Sequence, residues 1–169
     1  MIHTFTTALG VCGLRWSDDG VAAVLMPGAP GLDATAGSGG APASPEIARA
    51  GEAIARLLDG ERTDLRFVAL DMSGQSEFAR DVYEAAREIG AGETGSYGEL
   101  AAAAGHPGAA REVGAALARN PFPIVVPCHR VLAADGALHG FSAPGGLATK
   151  RRMLEIERAP GFEQQPLFA

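Results

Sequence analysis

A chain of 169 residues with 47% hydrophobic content can bury one ordinary core or two small ones, because a domain of about 150 residues hides roughly 70% of its surface. No apolar run reaches the roughly 18 residues that a spanning helix needs, and Met1-Ile2-His3 lacks the basic start of a secretory signal; the expectation is a soluble cytoplasmic protein with no membrane partner. The net charge of −6 argues against wholesale nucleic-acid binding only if it is evenly spread, and it is not: residues 1–108 carry seven Arg against fifteen acidic side chains, whereas residues 109–158 carry seven basic against four acidic ones.

Residues 2–8, 11–16 and 21–26 read as strands of a small antiparallel sheet, the last two joined by the polar turn Ser17-Asp18-Asp19-Gly20. Residues 27–45 are rich in Gly, Ala, Pro and Ser, too poor in bulky apolar side chains to fold alone, and read as a flexible surface loop. Ser44-Pro45 then opens a helix, since Ser caps and Pro suits the first position, with Ile47, Ala50, Ile54, Leu57 and Leu58 at helical spacing up to Gly60. Residues 65–70 read as one more strand.

A second, mainly helical part begins near residue 71. One helix is expected over residues 76–89, with Phe78, Val82, Ala85, Ala86 and Ile89 as its apolar stripe. Ser96-Tyr97-Gly98-Glu99 is a capping box that starts a short helix over 99–104 directly after Tyr97. Gly105-His106-Pro107-Gly108 stops it. A third helix, over 109–119, is expected to bury Ala110, Val113, Gly114, Leu117 and Ala118 and to expose Arg111, Ala115 and Arg119. Helix, Gly-containing turn, helix is the helix-turn-helix pattern, and small residues on the outer face would let a partner approach. The order of elements gives an α+β fold class, with an N-terminal lobe over residues 1–70, a second lobe over 71–158 and a tail over 159–169.

The chain's chemistry gathers in Asn120-Pro121-Phe122-Pro123-Ile124-Val125-Val126-Pro127-Cys128-His129-Arg130-Val131. Residues 124–126, β-branched in part or whole and fenced by prolines, read as a short buried strand that ends at a thiol and an imidazole. A cysteine at its ordinary pKa of about 8.5 is mostly protonated at neutral pH, so a nucleophilic thiol needs a base. Neighbours on an extended strand point to opposite sides, which favours a relay through water over a direct Cys128–His129 bond. A last helix that buries Leu147, Met153 and Leu154 must also turn Glu157 inward, three and four positions on. A buried carboxylate needs a partner; His129 is one candidate, and Arg158 or Lys150 are the alternatives. Two cysteines, 12 and 128, in unlike contexts suggest neither a disulfide framework nor a metal spacing, so no metal and no cofactor are expected.

The stretch 120–131, with residues 70–158 around it, resembles the O6-alkylguanine-DNA alkyltransferases, also called methylated-DNA–protein-cysteine methyltransferases. The resemblance implies an RNase H-like N-terminal lobe beside a winged-helix/helix-turn-helix DNA-binding lobe. It further implies a monomer that binds double-stranded DNA, rotates O6-alkylguanine out of the stack and takes the alkyl group irreversibly onto Cys128. By the same resemblance His129 is the base, Glu157 orients it, Asn120 stabilises the active-site turn, and Tyr97 helps rotate the phosphate or protonates the leaving guanine. Arg111 fills the vacated stack, Val131, Phe141 and Ser142 line the guanine pocket, and Lys150, the chain's single lysine, sits near its rim.

Some features depart from the family pattern. Tyr83 stands where Trp is usual, Gly90-Ala91 where Pro is usual, and residues 140–146 form a loop two residues longer than common, with Phe141 in place of Tyr. The tail Gln164-Gln165-Pro166-Leu167-Phe168 looks like peptides that dock on the bacterial replication sliding clamp. Competing readings are a helix-turn-helix regulator or a lesion sensor that does no repair, against which Cys128 argues, and a cysteine hydrolase, for which no second motif exists.

Overall fold

In the computed structural model, which describes residues 1–32, 42–138, 141 and 143–163, the chain opens with an antiparallel meander. Strands β1 (Ile2–Thr7), β2 (Gly10–Ser17) and β3 (Gly20–Leu25) pair in the order β1-β2-β3, with Phe5 opposite Cys12 and Leu14 opposite Val24. Gly20 closes the β2–β3 hairpin at φ +133, and any Cβ there would lie 2.5 Å from the carbonyl oxygen of Ala69, so only glycine fits. Helix α1 (Pro45–Leu58) lies against β1, capped by Ser44 as its sequence suggests. Its Gly51 lets the helix close on Phe5: a Cβ there would be 3.1 Å from the Phe5 ring.

The strand expected over residues 65–70 does not form. Only Leu70 makes a bridge, parallel to Val21. The reason is Arg87, whose Nη2 donates to the carbonyl oxygens of Leu65, Arg66 and Val68 at 2.7–3.1 Å. Three carbonyls converging on one nitrogen require a turn, and a ladder is lost. The start of the expected loop is also better ordered than its composition suggests. Successive turns bury Met26, Ala29 and Leu32, and the Leu32 side chain rests on Gly13 of β2. Residues 33–41 lie outside the described residues.

The second lobe packs α2 (Glu77–Ala86), α3 (Tyr97–Ala103) and α4 (Ala110–Ala118) against one another, with α2 and α3 capped by Ser76 and Ser96. The capping box is complete: Glu99 N donates to Ser96 Oγ at 3.1 Å and Ser96 N to Glu99 Oε1 at 3.2 Å. In α2 the fully buried positions are Ala79, Val82, Tyr83 and Ala86, and Tyr83 Oη donates to the Ala116 carbonyl of α4 at 2.8 Å. That bond also sets the inner face of α4. Val113, Ala116 and Leu117 are buried there, whereas Ala118, expected inside, is exposed along with Arg111, Ala115 and Arg119. In the α3–α4 turn, His106 Nε2 lies 2.9 Å from Asp81 Oδ2 and its ring meets Phe78 edge-on, tying the turn to α2.

A two-stranded parallel pair, β4 (Gly95–Ser96) and β5 (Val131–Leu132), connects the α3 entrance to the chain after the thiol. Helix α5 (Gly146–Ile156) closes the structure. Its inward stripe is Lys150, Met153, Leu154 and Glu157; Leu147, expected inside, lies in an exposed first turn. One core runs through both lobes, from Leu14 and Val24 to Val126 and Met153. Among the described residues no helix is long and apolar enough to cross a membrane.

Candidate active site

Residues 120–127 form a folded-back loop and not the expected strand. The prolines at 121, 123 and 127 have no N–H to offer a ladder, and the Asn120 side chain supplies bonds of its own. Its Nδ2 donates to the Val126 carbonyl at 3.0 Å and its Oδ1 accepts from Phe122 N at 2.8 Å. Val126 N closes the loop onto the Phe122 carbonyl at 2.8 Å. Ile124 at the bend holds φ +76, a strained value for a β-branched residue, compensated by a side chain that is almost wholly buried. The N-terminal lobe supports the loop from outside, because Val24 N of β3 donates to the Pro121 carbonyl at 2.9 Å.

The loop delivers Cys128 into a single 3-10 turn, Cys128–Arg130, so Cys128 and His129 are not on an extended strand. Cys128 is partly buried and opens on a cavity of about 220 Å³, shared with Leu117, Asn120, Pro123, Phe141 and the β3 end. Burial pushes its thiol above the usual value, and the Asn120 hydrogen bond, the Lys150 ammonium and local backbone N–H groups offset part of this.

His129 points the other way, into the protein. It is 1% exposed, and its Nε2 lies 2.8 Å from Glu157 Oε1. Glu157 caps the end of α5, where Arg158 at φ +54 and the bonds Arg158 N to Glu155 O and Ala159 N to Leu154 O form a Schellman end. Arg130 holds the carboxylate from the far side, Nη2 to Oε1 at 2.8 Å and Nε to Oε2 at 2.9 Å, and its Nη1 donates to the Ile89 carbonyl at 2.6 Å. Burial by itself raises the Glu157 carboxyl, but His129 and Arg130 outweigh it and hold the group at about 2. An ionised carboxylate only accepts, so His129 Nε2 carries the hydrogen. Burial keeps the imidazole neutral, working against the pull of Glu157 and aided by Arg130 and Lys150. Nδ1 is therefore the basic nitrogen, and among the described residues it is buried without a hydrogen-bond partner.

Tyr97 begins α3 with its ring facing Gly114 of α4, 3.9 Å from where a Cβ would stand. Burial raises its phenol, and so does the charge of Cys128, so the two groups sense one another. Val131 is fully buried, and its carbonyl accepts from Lys150 Nζ at 2.8 Å. Lys150, expected near the pocket rim, is 0% exposed, its stem part of the inward stripe of α5, and it does not line the Cys128 cavity. Phe141 lines the Cys128 cavity; Ser142 and residues 164–168 lie outside the described residues. Among the described residues, no three His, Cys, Asp or Glu side chains cluster to hold a metal ion.

The chain matches the model of the 6-O-methylguanine DNA methyltransferase DNA-binding domain over residues 77–159. It is 38% identical over 145 residues to the methylated-DNA–protein-cysteine methyltransferase of Methanothermobacter thermautotrophicus, spanning 86% of this chain and 78% of that one. The chain belongs to the methylated-DNA–protein-cysteine methyltransferase family. The Mycolicibacterium paratuberculosis methyltransferase is 49% identical over 122 residues, 72% of each chain. The crystal structure of Mycobacterium tuberculosis OGT in complex with DNA superposes with a TM-score of 0.75 at 36% identity, covering 95% of this chain and 96% of that one.

Two features of this methyltransferase fold are absent from the sequence reading. Arg130 is the first, and its signal was available: a charge set between His129 and the apolar pair Val131-Leu132 needs a buried partner. The second is the cavity wall contributed by β3 and the turn after it, residues 23–26 and Ala29. Nothing local to those apolar residues distinguishes a pocket wall from core.

Proposed function

We propose that this methyltransferase repairs O6-alkylguanine in duplex DNA by one transfer of the alkyl group to Cys128. The exposed face of α4, with Arg111, Ala115 and Arg119, meets the DNA, and the damaged base leaves the stack for the cavity at Cys128. Arg111 fills the gap. The thiol proton passes to His129 Nδ1 by way of a solvent molecule, and Cys128 Sγ attacks the alkyl carbon. As the sulfur–carbon bond forms, the carbon–O6 bond breaks and its electron pair stays with the guanine, which Tyr97 protonates; Tyr97 regains a proton from solvent, and His129 returns the thiol proton to solvent, so that one proton in all passes from thiol to guanine. Glu157 stabilises the imidazolium that results. A thioether has no ready leaving group, so each molecule acts once. Val131, Phe141 and Ser142 are the residues assigned to the guanine pocket, Asn120 fixes the turn, and Lys150 lowers the cost of the thiolate. The protein works as a cytoplasmic monomer, and the tail at 164–168 is the segment that would contact a sliding clamp.

The observation that carries this reading is a thiol opening on a cavity and followed in the chain by an imidazole whose Nε2 is fixed by Glu157, leaving Nδ1 with no hydrogen-bond partner among the described residues. Incubation with an O6-methylguanine duplex should add one methyl, about 14 Da, to the peptide bearing Cys128 and not to Cys128→Ala, as covalent transfer requires. Restored guanine without a protein adduct, or binding with neither change, would exclude the reading.

A further inference from the structure

Two cavities share a wall. The first, of about 220 Å³, contains Cys128. The second, of about 180 Å³, lies between Ala8 and Leu9 of the β1–β2 turn and Thr149 and Arg152 of α5. Met26 and Pro144 belong to the walls of both. Pro144 is held in place: Thr149 Oγ1 donates to its carbonyl at 2.9 Å, and the turn at Gly28 comes against its ring, where a Cβ would lie 3.5 Å away. Met26 is buried to 1% exposure, and its carbonyl accepts from Ala29 N at 2.9 Å, so its backbone is fixed. Its side chain is unbranched with three rotatable bonds, the kind that repacks most readily.

We propose that Met26 is a specificity-determining residue of the N-terminal lobe, the movable partition that sets how large an alkyl group Cys128 can accept. This rests on Cys128 being the acceptor. An apolar cavity of roughly 150 Å³ is enough to hold benzene. The second cavity, open to solvent and walled by Leu9, Met26 and Pro27 as well as by Thr149 and Arg152, has the volume for a phenyl-sized group, whereas the first must also take the guanine. With Met26 across the partition a methyl group reaches the sulfur; with its thioether swung aside, an arylmethyl group extends into the space behind it. The chemistry is the same transfer, carbon–O6 broken and carbon–sulfur formed.

The test compares single-turnover alkylation by duplexes carrying O6-methylguanine or O6-benzylguanine, read as mass added at Cys128. Met26→Ile keeps similar bulk but stiffens χ1, and Leu9→Trp fills the second cavity from the far side without touching the first. In both variants the ratio of benzyl to methyl rate should fall by on the order of tenfold or more, the discrimination that apolar pocket shape provides. A ratio equal to wild type in both, with methyl transfer to Cys128 intact, overturns the partition and leaves the acceptor reading standing. A wild-type protein that takes neither group onto Cys128 overturns both.

Discussion

Arg130 grips both carboxylate oxygens of Glu157, Nη2 at 2.8 Å from Oε1 and Nε at 2.9 Å from Oε2. This fork leaves Glu157 with one direction in which to receive His129, and so selects the imidazole tautomer. Lysine offers a point charge and cannot span the two oxygens. Arg130→Lys should therefore cost about 3 kcal/mol, the lower end of what breaking a buried pair costs, measured from urea unfolding midpoints. A loss too small to shift the midpoint would mean that His129 and the Gly92 N–H hold Glu157 without the guanidinium fork.

Acid should unfold the protein in two stages. The folded carboxyl of Glu157 titrates at about 2 against an ordinary 4.5, so its contribution is present above pH 4.5 and disappears as pH falls toward 2; a shift of that size corresponds to roughly 3 kcal/mol. His129 is depressed below its ordinary 6.5, so below that pH the unfolded chain takes up a proton that the folded chain refuses. Stability should start to decline near pH 6.5 and steepen below 4.5. Glu157→Gln should flatten the lower limb, and an unchanged limb would assign it to other carboxylates.

Lys150 offers a third measurement. Its buried ammonium is among the influences that lower the Cys128 thiol, and it donates to the Val131 carbonyl at 2.8 Å. Lys150→Met keeps the stem and removes the charge. The alkylation rate should then rise with pH later than in wild type, because the thiol titrates higher, while stability falls by about 1 kcal/mol from the orphaned carbonyl. An unshifted pH profile would limit Lys150 to packing.

Arg111→Ala separates base rotation from chemistry. Arg111 is exposed on α4, outside the Cys128 cavity. Repair of duplex DNA should fall by roughly tenfold or more, since an unfilled gap returns a few kcal/mol of stacking to the competing intrahelical base. Reaction with free O6-methylguanine should hold. Equal losses on both substrates would remove the finger role.

What the sequence made legible was local. Ser44 and Ser96 begin helices where their capping chemistry says they should, and Glu157 turns inward because 153, 154 and 157 share a face. The loop at 120–127 was misread because three prolines fit the edge of a strand as well as a fold-back, and the deciding bonds come from the Asn120 side chain. The strand at 65–70 was lost to a guanidinium twenty residues downstream. Lys150 was placed at a rim by resemblance alone, and only the geometry shows its stem inside and the Val131 carbonyl accepting from its head. Such contacts cross between elements, and no periodicity records them.

The hydrogen bond from Val24 to Pro121 ties the thiol-bearing loop to the sheet. Asn120 shapes the loop from within and β3 holds it from without, so the sulfur's position depends on a strand that carries none of the chemistry. A change that shifts β3 moves the acceptor without altering a single residue of its loop.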